Sequence, residues 1–91
     1  MSEVAHQTHP DIVKRLKRAE CHLRNVIGMM ESGRPCLELT QQLHAVESAL
    51  KAAKKALIHD HIDHCLVHAA EDNARGAQDS LDELKALTKY L

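Results

Sequence analysis

Apolar positions recur at helical spacing along nearly the whole chain. From about Pro10 to Ser32 they are Ile12, Leu16, Ala19, Leu23, Val26, Ile27 and Met30. This spacing predicts a first amphipathic helix. Pro10 suits its first turn, and Gly33 suits a left-handed stop at its end. Pro35 then opens a second helix, in which Cys36, Leu39, Leu43, Val46, Leu50, Ala53 and Leu57 follow a strict 3-4-3-4 spacing. That is a heptad seam, which packs one helix lengthwise on another. No Gly or Pro interrupts Cys36 to Arg75, so this helix is expected to reach His68 or beyond. A helix of that length is roughly 50 Å long at 1.5 Å per residue. The rest of so short a chain cannot cover it, and a partner chain is the natural cover. Asn73 to Gly76 reads as the next break. A short third helix follows from about Gln78 to Tyr90, with Leu81, Leu84, Leu87 and Leu91 as its stripe.

The expected fold is therefore all-α, a three-helix protomer with a long central helix. Residues 10–91 form one helical domain, and residues 1–9 read as a flexible tail. Composition narrows the function. With no Phe or Trp and only Tyr90, the chain lacks the ring faces that stack on single-stranded nucleic acid. Three glycines leave little scope for a nucleotide-cradling loop, and no nucleophile elbow or H-E-x-x-H motif is present, so the chain does not read as an enzyme. No apolar run approaches the roughly 20 residues of a membrane span, and the first residues carry no signal-peptide core. A cytoplasmic protein is expected, with no membrane or nucleotide partner.

The net charge of −1 hides an uneven distribution. From Lys14 to Arg24, five basic residues (Lys14, Arg15, Lys17, Arg18 and Arg24) stand against one acid, Glu20. Lys51, Lys54 and Lys55 form a second basic group. A near-neutral total can thus hide one basic face; the alternative for such runs is a solvated helix surface.

Eight histidines and three cysteines are many for 91 residues. An odd cysteine count in a reducing compartment argues against a disulfide framework. His61 and Cys65 are four apart and share a helix face, as do His64 and His68. Cys36 lies on the same seam, 25 residues before His61. That is roughly 37 Å of helix, too far for one metal ion within one straight helix. Pairing the helix antiparallel with a second copy brings Cys36 of one chain beside His61 and Cys65 of the other, once at each end of the pair. Two sulfurs and one nitrogen complete a trigonal Cu(I) site, the metal this set favours; Ni(II), Co(II) or Zn(II) wants a fourth ligand. His6 and His9, in H-x-x-H spacing, are candidates for it. Cys21 falls off the main stripe and reads as a small residue at a helix–helix contact. His44 is expected at the flank of the seam and His59 in solvent.

The set Cys36, His61 and Cys65, with Q-Q-L-x-A-V from Gln41 to Val46 and R-L-K-R-A-E from Arg15 to Glu20, resembles the CsoR/RcnR/FrmR family of bacterial metal-sensing repressors. The resemblance runs from about His9 to Leu91. It implies a disc-like tetramer, a dimer of dimers, that binds operator DNA without inducer and releases it when the inducer binds, derepressing metal efflux or resistance genes. It implies Cys36, His61 and Cys65 as ligands in copper sensors, joined by an N-terminal histidine in nickel sensors. It implies Lys14, Arg15, Lys17 and Arg18, with Lys51, Lys54 and Lys55, as the DNA-contacting region. Copper-sensing members carry a Tyr before the first cysteine and a Glu in the last helix; here Pro35 and Leu81 stand at those positions, with Glu83 nearby. Glu47 replaces a frequent Arg, and Cys21-His22 a frequent Gly-Gln. Formaldehyde sensors use an N-terminal proline where this chain has Ser2. Two alternatives remain at this point: a repressor sensing thiols or persulfides through Cys36 and Cys65 of opposite chains, and a metal-buffering helical protein without a DNA role.

Overall fold

The computed structural model describes residues 9–71 and 74–91, with the side chains of residues 68, 69, 71 and 74 excepted. They form three helices: α1 (His9–Glu31), α2 (Cys36–Glu71) and α3 (Ala74–Thr88). There is no strand among the described residues, and none of their helices is long and apolar enough to cross a membrane. The chain divides into two compact units, one holding α1 with α2 as far as Lys54, the other holding the remainder of α2 and α3.

The first unit is a helical hairpin. Its turn is set by Gly33, whose φ of 79° lies in the left-handed region. The amide of Arg34 donates to Met29 O and that of Gly33 to Met30 O, at 3.1 and 3.2 Å. These are the two crossed bonds of a Schellman stop, and they satisfy carbonyls that the helix end would leave open. A Cβ at position 33 meets no neighbour within 4 Å, so the constraint is backbone strain rather than space. Gly33→Ala is expected to cost about 1 kcal/mol. It should lower Tm by several degrees in a thermal melt at matched protein concentration.

Heptad arithmetic explains the hairpin's core. Ile12, Ala19 and Val26 of α1 are buried, as are Leu39, Val46 and Ala53 of α2, each set at intervals of seven. The interhelical bond from His22 Nε2 to Gln42 Oε1, 2.6 Å long, ties the two helices at mid-height. The other half of the α2 seam is not covered: Leu43, Leu50 and Leu57 remain 42%, 45% and 42% exposed. Leu16, Leu23 and Met30, again seven apart, are the exposed counterparts on α1. One seam therefore carries two jobs. Alternate positions close the hairpin, and the rest form an apolar stripe on its outside.

In the second unit Ile58 and Cys65 are buried. Here the sequence expectation needs correction. Gly76 is the third residue of α3 and not part of the break, because a helix's first turn makes few intrahelical amide bonds and tolerates glycine there. The stripe on α3 is partial, with Leu84 and Leu87 half-buried and Leu81 and Leu91 exposed.

Candidate metal centre

Two helices of the second unit build the cluster. On α2, the four-residue spacing sets His61 and Cys65 one above the other. On α3, Glu83 reaches both: His61 Nε2 donates to Glu83 Oε2 at 3.0 Å, and the Cys65 thiol donates to Glu83 Oε1 at 3.5 Å. One nitrogen, one sulfur and one carboxylate oxygen thus lie within 4.8 Å of one another. A borderline or soft metal ion accepts donors of this kind at this spacing.

The electrostatics follow from the same contacts. The hydrogen bond from His61 lowers the Glu83 carboxyl below the usual carboxylate range, with Cys65 acting in the same direction and partial burial opposing both. Burial pushes the Cys65 thiol above its ordinary value, and the hydrogen bond to Glu83 and its negative charge push it further. Cys65 is therefore a protonated, shielded thiol at neutral pH. The His64 ring stands edge-on to His61, with centroids 6.3 Å apart.

Glu83 is the residue that sequence reasoning missed. The family resemblance puts Leu81 at the acidic position with Glu83 only nearby, but Leu81 is exposed and Glu83 makes both contacts. The i, i+2 displacement reflects where α3 starts, and no spacing within α2 reports that.

The other candidates are placed as follows. Cys36, the first residue of α2, belongs to the hairpin unit, is exposed, and is not among the clustered donors. His9 is the first residue of α1 and not part of a tail, while His6 lies outside the described residues. Cys21 is exposed, and its neighbour His22 makes the interhelical bond. His44 is exposed at the flank of the seam and pairs with Glu47 at 3.8 Å; His59 faces solvent. The basic residues line more than one groove. Arg15 and Arg18 line one groove with His22, Ala49 and Ala52. Lys51 and Lys54 line a second with Leu23, Leu43 and Leu50. Lys14, Lys17 and Lys55 are exposed outside both.

Residues 8–90 match the family model described as metal-sensitive transcriptional repressor. The chain belongs to that family. Among relatives of the metal-sensitive repressors, the copper-sensing transcriptional repressor CsoR of Mycobacterium ulcerans is 38% identical over 86% of this chain and 65% of its own length. The chain thus spans just under two thirds of that relative. The copper-sensing transcriptional repressor CsoR of Bacillus subtilis is 35% identical over 86% of this chain and 79% of its own length. Among solved structures, the nickel-responsive transcriptional regulator InrS superposes with a TM-score of 0.80 at 34% identity, covering 90% of this chain and 91% of that one. The chain is thus similar in sequence to copper-sensing repressors and in structure to a nickel-responsive regulator.

Proposed function

We propose that this chain is a metal-responsive transcriptional repressor that binds operator DNA when metal-free and lets it go when a transition metal occupies a site containing His61 and Cys65. The cluster of His61, Cys65 and Glu83 is the observation that carries this reading. Cys36 of a second copy supplies the third soft donor, since the described cluster contains one sulfur. Glu83 is already hydrogen-bonded to both ligands, which suits a residue that orients them. Two thiolates and an imidazole then favour Cu(I), in keeping with the copper-sensing relatives. A second reading, Ni(II) or Co(II), draws support from the nickel-responsive structural neighbour; His9 at the head of α1, or His6, would add the further ligand. Zn(II) has the same demand.

The state of Cys65 weighs against the thiol-sensing alternative. Reactive sensor thiols have lowered pKa values and open surroundings. Cys65 is buried, and its thiol is pushed up. Arg15 and Arg18 of α1, which have no ion pair among the described residues, weigh against a metal buffer with no DNA role.

A mobility-shift titration tests the function. A labelled duplex from the DNA upstream of the chain's own gene should be bound by metal-free protein and released by Cu(I) or Ni(II), whereas His61→Ala should stay bound. Binding should be steeply salt-dependent. Arg15→Ala with Arg18→Ala should flatten the slope of log affinity against log salt by about 2 and weaken binding without lowering Tm. An unchanged affinity would make that face merely solvated.

Proton linkage gives a further expectation. Because the Cys65 thiol is raised, metal must displace its proton at neutral pH. Metal affinity should therefore rise with pH, by about tenfold per unit for each proton released, until the thiol itself ionises. Proton release into weak buffer during Cu(I) addition measures this, and a pH-independent affinity would exclude Cys65 as a ligand.

A further inference from the structure

We propose that Glu83 is itself a ligand for divalent metal ions, so that Nε2 of His61, Sγ of Cys65 and a carboxylate oxygen of Glu83 hold Zn(II) within a single chain, without Cys36. The inference rests on the metal-sensing reading above and adds to its site a ligand and a class of ion.

A carboxylate that only orients a ligating histidine touches the ring nitrogen turned away from the metal, and needs no contact with the sulfur. Glu83 touches both side chains. Its Oε2 lies 3.0 Å from His61 Nε2, and its Oε1 lies 3.5 Å from Cys65 Sγ. Zinc bonds to nitrogen, oxygen and sulfur give tetrahedral edges of roughly 3.4 Å between nitrogen and oxygen and roughly 3.6 Å between sulfur and oxygen. The carboxylate is thus already about one edge length from each of the other two donors. A small turn of the group puts one oxygen on both edges.

Charge decides which ion uses this arrangement. A metal-bound sulfur is a thiolate and has no proton to give. The contact between Cys65 and Glu83 then sets two anions side by side unless a cation lies between them. Zn(II) with one thiolate and one carboxylate is neutral. Cu(I) with two thiolates already carries net negative charge, and a carboxylate would double it at a partly buried place. Carboxylate oxygen also suits a borderline divalent ion better than a soft one. The two kinds of ion therefore divide the donors. The soft ion takes Cys36 of a second copy and leaves Glu83 as an orienting neighbour, and the divalent ion takes Glu83. Access fits as well. The side chains of His61 and Glu83 are 26% and 56% exposed, so an ion can enter from solvent and keep a water as its fourth ligand. All three donors lie in the unit formed by the end of α2 and α3, and the hairpin contributes none.

The test uses the full chain, with Co(II) as a coloured stand-in for Zn(II), Zn(II) itself in competition, and Cu(I) as the contrasting probe. Cys36→Ala should keep its Co(II) and Zn(II) affinities within about threefold of the parent, with the charge-transfer intensity of one thiolate per cobalt, while its Cu(I) affinity collapses. Glu83→Gln should lower Co(II) and Zn(II) affinity by about 30- to 100-fold and leave Cu(I) affinity within about threefold, because the amide oxygen still accepts from His61. An unchanged thermal melt of the metal-free variant checks that the helices are intact. A residue that only orients serves both ions, so equal losses of Co(II) and Cu(I) in Glu83→Gln would overturn the proposal. So would a large loss of Co(II) in Cys36→Ala, which would bring the second copy's thiol into the divalent site. If the parent shows this pattern of metal binding but binds no duplex, the repressor reading fails and the assignment of Glu83 stands.

Discussion

Cys36→Ala and Cys65→Ala should each abolish tight metal binding, although the two residues belong to different units of the chain. For a site shared between copies, each loss removes one of two thiolates at every site, and affinity for a soft ion should fall by two or more orders of magnitude. Mixing the two variants after subunit exchange makes the decisive measurement. In a mixed dimer one end joins an intact Cys36 to an intact Cys65, and the opposite end lacks both. About half of the sites in the mixed fraction should regain tight binding, read as thiolate-to-metal charge transfer. If mixed dimers form and no tight site returns, the shared site is wrong. The fold motivates this experiment directly: His61, Cys65 and Glu83 gather without Cys36, and α2 runs unbroken through both units.

The second large effect concerns the uncovered half of the seam. Leu43→Glu with Leu50→Glu places two charges on a stripe that is apolar and only about half exposed. In a dimer paired along this stripe, each buried carboxylate would lack a partner, at a cost of several kcal/mol. The expected result is a chain that runs as a monomer in light scattering at micromolar concentration and binds metal and DNA weakly. The control is Leu37→Glu, at a position 71% exposed and off the seam, which should leave assembly intact. A double variant that keeps the parent's mass would show that the stripe is not the interface. The tetramer expected from the family resemblance needs a second contact, and sedimentation of the parent chain measures it.

These two experiments mark where the sequence was legible and where it was not. The helices and the glycine stop could be read because each is a local matter of period and backbone geometry. The seam could be read as a seam, but not as two half-seams. A repeat of seven states that something packs there, and Leu39 and Leu43 satisfy it equally. Only the position of α1 shows that Leu39 is inside and Leu43 outside. Glu83 was missed for a related reason. Its contacts with His61 and Cys65 depend on the start and rotation of α3, which are tertiary quantities. His22 was hidden by its neighbour Cys21, whose thiol draws the eye while the imidazole makes the interhelical bond. Arg18 and Lys54 line different grooves of the helix pair, a distinction that charge runs along the chain do not report.

The slender interior of the hairpin bears on how long a newly made chain survives. Its buried residues include two alanines and two valines, so an unassembled copy gains little from closing. Such a copy opens often, and open chains are what proteases cut. A second copy covering the leucine stripe would remove that vulnerability. Turnover would then be selective, with orphan copies cleared and paired ones spared. Pulse–chase labelling should show the charged-stripe variant disappearing several times faster than the parent, which ties the cellular dose of regulator to its assembled form.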